Sequence, residues 1–103
     1  MIEVQILIPL NDNTGNSYPD VNHDRFEGEL LRLFGASSLF PGVVSGQWIS
    51  NSQVYRDATR VYVVAVDGLI AKGDALRSLV TFAKNNYSQL AIYIRYLGVS
   101  EIL

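Results

Sequence analysis

His23-Asp24-Arg25, with Asp20 three positions earlier, is the densest group of polar side chains in the sequence. His23 is the only histidine, and imidazole is the side chain whose ordinary pKa suits acid–base work near neutrality. Arg25 could grip a carboxylate or phosphate through two parallel hydrogen bonds. A helix is expected to begin here, and its free N–H groups and positive dipole end favour an anion. His23 and Arg25 are therefore the candidate ligand-binding pair, for a small anionic ligand. A plainer explanation outweighs it. Asp20, Asn22 and Asp24 are the residue types that helix starts favour in any case, which would leave His23 exposed.

Other motifs mostly exclude. Asp12-Asn13-Thr14-Gly15-Asn16 resembles a calcium loop, but it lacks the alternating acidic positions and the closing glutamate, so it reads as a turn. Neither GxxxxGK[ST] nor GxGxxG occurs, so no cofactor is expected. No serine sits in GxSxG, and a single histidine cannot be tied to any serine by spacing. No catalytic residue and no metal ligand set is assigned, and whether the protein is an enzyme stays open. The chain has no cysteine, which excludes disulfides, thiolate zinc sites and a cysteine nucleophile.

With 8 basic against 10 acidic side chains the net charge is −2. Nucleic-acid affinity draws heavily on neutralised phosphates, so no nucleic-acid partner is expected. No apolar run approaches the roughly 20 residues of a membrane span. The first ten residues alternate like a strand rather than forming a signal peptide. A cytoplasmic protein without membrane contact is expected. Only 17% of residues are charged while 49% are hydrophobic, against a usual charged share of about 25%. So little charge points to self-association.

At 103 residues the chain should form one domain, 1–103. Residues 2–9 alternate apolar and polar with Ile2, Val4, Ile6 and Ile8 on one face, the period of a half-buried strand. Residues 11–22 are a polar connection, and Asn22 is the expected N-cap of the first helix. Phe26, Leu30, Leu33 and Phe34 follow at helical spacing, and Gly35 is placed to end the helix. Phe40-Pro41-Gly42 is a turn. A second strand is expected over 43–50, with Val44 and Trp48 toward the helices, and a third over 55–66. A second helix carries Leu76, Leu79, Val80, Ala83 and Tyr87 on one face, with Asp74 as a possible N-cap, and residues 89–97 form the last strand.

This order is βαββαβ, the split βαβ or ferredoxin-like plan: an α+β fold with two helices on one face of a four-stranded antiparallel sheet. The other face stays open. Alternation places Tyr62 and Tyr93 there, opposite Val61, Val63, Ile92 and Ile94, with Arg95, Gln5 and Gln47 as neighbours. Leu7, Tyr62, Val64, Val66 and Tyr93 then form an apolar patch, the expected interface with a second copy. Aromatics on such a sheet also suit RNA stacking, but the basic-aromatic motif of RNA-binding domains is absent from 60–66.

Phe40-Pro41-Gly42, Gly46-Gln47-Trp48, Arg60-Val61-Tyr62-Val63-Val64 and Ser88-Gln89-Leu90-Ala91-Ile92-Tyr93 resemble the pattern of a group of small, mostly uncharacterised bacterial proteins with a ferredoxin-like fold. The likeness spans roughly the C-terminal two-thirds and does not extend to residues 11–22. It implies the fold and transfers no catalytic residue.

The leading expectation is a homo-oligomer, most simply a dimer, acting as a small-molecule-binding or protein-interaction module without evident catalysis. The alternative is a small ferredoxin-like enzyme with a cleft near His23 and Arg25, joined by Tyr62 or Tyr93. Convergence separates them, because an enzyme needs those groups turned into one concave pocket.

Overall fold

Alternation in the first strand sets the phase of the whole sheet. The computed structural model describes residues 2–99. The side chain of Trp48, expected toward the helices, lies outside the described residues. Strand β1 (Ile2–Pro9) buries Val4, Ile6 and Ile8 completely under the helices. Its partners are antiparallel on both sides, β4 (Gln53–Val66) and β5 (Tyr93–Val99). The ladder sets Val4 opposite Val64, Ile6 opposite Tyr62 and Ile2 opposite Val66. Directly opposed residues of an antiparallel pair share a face. Tyr62, Val64 and Val66 are therefore core residues, each no more than 2% exposed.

This corrects the expected interface patch for Tyr62, Val64 and Val66. The segment Arg60-Val61-Tyr62-Val63-Val64-Ala65-Val66 is apolar on both faces, so period-two reading gives a strand without a phase. Only pairing with β1 supplies the phase. Leu7 and Tyr93 do lie on the face away from the helices, directly opposite each other.

The architecture is α+β and ferredoxin-like, with five strands rather than four. The path runs from β2 (Ser38–Leu39) through β4 and β1 to β5, and β3 (Val44–Ser50) also pairs with β4. Strand β2 has only these two residues. It occupies β4 at Tyr62 and Val63, while β3 occupies it from Gln53 to Thr59. Residues 51 and 52 close the β3–β4 hairpin with positive φ values of 51° and 63°, the left-handed pair whose twist suits a two-residue loop. Because β1 pairs with β4 only from Thr59 onward, the outer part of this hairpin projects as an arm. The molecule is accordingly elongated, 43 × 28 × 25 Å.

Helix α1 (Asp20–Phe34) buries His23, Phe26 and Leu30 on one face. It starts two residues before the expected cap. Pro19 precedes it with φ −60°, and no side chain caps the start. Proline suits this point because its missing N–H would be unsatisfied anyway. Gly35 ends the helix at φ 76°, its N–H donating to the Leu31 carbonyl, as its position in the sequence implies. Helix α2 (Leu69–Asn86) begins at Leu69 after Gly68, so Asp74 is not its cap but sits within it and pairs with Arg77. Leu76, Leu79, Ala83 and Tyr87 are buried as expected. Ser88 turns to φ 51° and the Gln89 N–H closes onto the Lys84 carbonyl, so residues 89–92 are a connection and β5 starts late. Among the described residues, no helix is long and apolar enough to cross a membrane.

Candidate functional site

His23 is not an exposed helix-start residue. It lies one turn into α1 on the face that meets the sheet and is only 5% exposed. Its Nδ1 is 2.8 Å from the Tyr87 hydroxyl, which belongs to the end of α2. Tyr18 adds the third ring of the cluster, packed edge-on against Tyr87 at 5.0 Å between centroids. The Tyr18 hydroxyl donates to the Tyr87 carbonyl and accepts from Gln89 Nε2, each at 2.6 Å. The polar connection before α1 is thereby fastened to the C-terminal end of α2.

Burial holds the His23 pKa below the ordinary imidazole value, and the Arg60 guanidinium pushes the same way. Glu27, Asp20 and Asp24 oppose both without prevailing. Near neutrality His23 is thus an uncharged ring. The Tyr87 hydroxyl is pushed up, chiefly by burial. A second chain of contacts runs behind it. Arg60 Nη1 donates to the Tyr62 hydroxyl at 3.3 Å, and that hydroxyl donates to Glu27 Oε2 at 3.2 Å. Burial and the Glu27 carboxylate raise the Tyr62 pKa.

Beside this cluster opens a cavity of about 310 Å³ whose lining includes Leu10, Tyr18, Asp20, His23 and Arg60. Arg25, the expected partner of His23, is exposed on α1 and does not line it. Two positions along a helix turn side chains by about 200°, so His23 and Arg25 cannot share a face. Arg60 stands where Arg25 was expected. Nothing local in the sequence marked it, because its place depends on the β1–β4 register, which sets it opposite Ile8. Tyr18 and Asn86 were missed for the same reason: their partners are distant in sequence.

The face away from the helices forms a second concavity, about 510 Å³, whose lining includes Leu7, Val44, Gln47, Asp57, Tyr93 and Arg95. Val44 was expected toward the helices and lines this cup instead. Residues 12–16 are a turn. Asp12 Oδ1 accepts from the Thr14 N–H and hydroxyl and from the Asn16 N–H, at 2.7–2.9 Å. These bonds lower the Asp12 pKa.

No family model and no curated protein matches the sequence. Solved structures do. CutA1 from Oryza sativa superposes with a TM-score of 0.65 at 16% identity, over 99% of this chain and 82% of that one. The periplasmic divalent cation tolerance protein CutA from Archaeoglobus fulgidus gives 0.64 at 12% identity, over 100% and 88%. A phage SAM lyase in complex with S-methyl-5'-thioadenosine gives 0.64 at 14% identity, over 93% and 79%. At such identities the likeness is one of fold alone, and it is the ferredoxin-like fold, shared with small CutA1-type proteins, that this chain adopts.

Proposed function

We propose that the protein is a non-catalytic module that associates with a second copy of itself and, separately, binds a small molecule. The observation that carries the self-association is the β3–β4 arm and the cup at its base. Ile49 is 73% exposed, Val54 57% and Tyr93 61%. Two strands projecting without a sheet or helix behind them are marginal in water. An exposed apolar edge is a template for pairing. A second copy supplies both cover and a complementary edge, and a dimer is the smallest assembly that does so. The CutA1-like fold supports this reading by analogy only. A cytoplasmic location is proposed from the strand-like first ten residues and the lack of a long apolar run, with which the cysteine-free composition is compatible, while the archaeal CutA is described as periplasmic, so cell fractionation decides it.

Sedimentation velocity at tens of micromolar tests the assembly. The wild type should sediment as an oligomer, and Ile49→Lys with Val54→Lys should sediment as a folded monomer. A wild-type monomer would overturn the proposal. The enzyme alternative loses its expected pair, since Arg25 does not meet His23. Release of S-methyl-5'-thioadenosine from S-adenosylmethionine, the chemistry suggested by the phage neighbour, would reinstate it.

A further inference from the structure

We infer that the cavity beside His23 and Arg60 binds a small carboxylate carrying a neighbouring hydrogen-bond donor, the chemistry shared by α-amino and α-hydroxy acids. This rests on the small-molecule half of the reading above and is independent of self-association.

The His23 ring supplies one contact. The Asn22 carbonyl already accepts from Asn86 Nδ2 at 2.7 Å, against 3.4 Å from the Tyr87 hydroxyl. The Tyr87 proton is better used on His23 Nδ1 at 2.8 Å, and the neutral ring then carries its own proton on Nε2. Nε2 has no hydrogen-bond partner among the described residues. No side-chain nitrogen or oxygen sealed among those residues lacks one, so Nε2 is not sealed. His23 lines the cavity, and Nε2–H is its one uncommitted donor there.

Arg60 supplies the charge. Its Nη1 makes the contacts with the Tyr62 hydroxyl at 3.3 Å and Glu27 at 4.0 Å. The guanidinium also lies over the Tyr62 ring, 6.0 Å from its centroid, but Nε and Nη2 donate to no acceptor among the described residues, leaving the forked edge that suits a carboxylate. Asp20, on the same cavity wall, sets the rest of the chemistry. Its carboxylate repels a dianion such as phosphate but accepts a hydrogen bond from an amino or hydroxyl group. The Tyr18 hydroxyl is already committed to Tyr87 and Gln89, so Tyr18 offers its ring as wall. A volume of about 310 Å³ sits at the small end of ligand pockets, which run from about 300 to 1,000 Å³. It suits an acid of a few carbons.

The experiment is a proton–nitrogen NMR titration of the full chain at constant ionic strength, with glycine, L-lactate, acetate and inorganic phosphate as separate probes. Glycine and lactate should shift the Asn11, Ser17 and Asp20 amides, all on the cavity wall, and the His23 Nε2 signal saturably. Acetate, which lacks the second donor, should bind about fivefold more weakly, the value of one hydrogen bond, and phosphate should not saturate. Arg60→Gln should remove saturable binding of all probes. Asp20→Asn, an exposed change, should weaken glycine more than lactate if the amino acid is the better ligand, and both alike if the hydroxy acid is. Absence of saturable shifts in the wild type, or shifts indifferent to Arg60→Gln, would overturn the inference. Sedimentation of the same samples reads assembly separately, so failure of one proposal does not pass for failure of the other.

Discussion

Asn22 and Asn86 hold each other: each side-chain amide donates to the other residue's backbone carbonyl, both at 2.7 Å. The pair ties the first turn of α1 to the last turn of α2. Asn22→Ala should therefore cost about 0.5–1.5 kcal/mol, the usual range for a lost hydrogen bond. A helix cap would give a similar figure, so a second substitution separates them. Asn22→Ser would preserve a cap but cannot reach Asn86. Urea denaturation should show Asn22→Ser as destabilised as Asn22→Ala; full recovery by serine would mean that capping is what counts.

His23→Ala should behave as a core change rather than a surface one. It opens space beside the Tyr87 ring and strips the Tyr87 hydroxyl of its 2.8 Å partner, leaving it the Asn22 carbonyl at 3.4 Å. Trading a 2.8 Å hydrogen bond for one of 3.4 Å costs about 1 kcal/mol, and the cavity cost adds to it. Denaturation midpoints check this, and a change within about 0.5 kcal/mol, typical of surface sites, would contradict the buried placement.

Acid should weaken the fold through the same residue. The folded His23 pKa lies below the ordinary value of 6.5, so the unfolded chain takes up a proton at a pH where the native ring stays neutral. The stabilisation is complete above about pH 6.5, is lost as pH falls through 6.5, and levels off below the folded pKa. Unfolding free energies measured from pH 7.5 down to 5 should fall, and His23→Gln should flatten that slope. A slope unchanged by His23→Gln would assign it to other groups.

Tyr62→Glu should unfold the protein outright at any concentration. Position 62 is 1% exposed and packs edge-on against Phe26 at 5.1 Å, and replacing that buried ring by a carboxylate beside Glu27 costs several kcal/mol even with Arg60 close by. Leu7→Glu with Tyr93→Glu, on the opposite face, should leave the circular dichroism spectrum intact and abolish the proposed self-association. A folded Tyr62→Glu protein would place Tyr62 outside the core.

Single-stranded RNA should not bind. A net charge of −2 gives little counterion release, and Tyr62 is buried under the helices rather than offered for stacking. A salt-sensitive micromolar complex in a fluorescence titration at physiological ionic strength would contradict this.

Element order apart from the two-residue strand β2, both helix faces and the plan of the fold were legible because β1, α1 and α2 are amphipathic and their periods declare which side is buried. Strand β4 was legible as a strand but not in phase, since Val61, Val63 and Val64 leave neither face polar. That ambiguity moved Tyr62, Val64 and Val66 to the wrong face, while Leu7 and Tyr93 kept theirs through the alternation of their own strands. The candidate site was half legible. His23 stood out as the only histidine. Its surroundings come from Arg60 and Tyr87, 37 and 64 positions away along the numbering, and no local pattern reports a contact of that range.

The Tyr18 hydroxyl, held by the Tyr87 carbonyl and Gln89, has a consequence for the order in which the chain folds. It joins segments about 70 residues apart, so its ring closure is entropically expensive until both helices have docked. The clasp should then form on the native side of the folding barrier. Tyr18→Phe should speed unfolding and leave the refolding rate almost untouched, a kinetic signature of a late-formed contact.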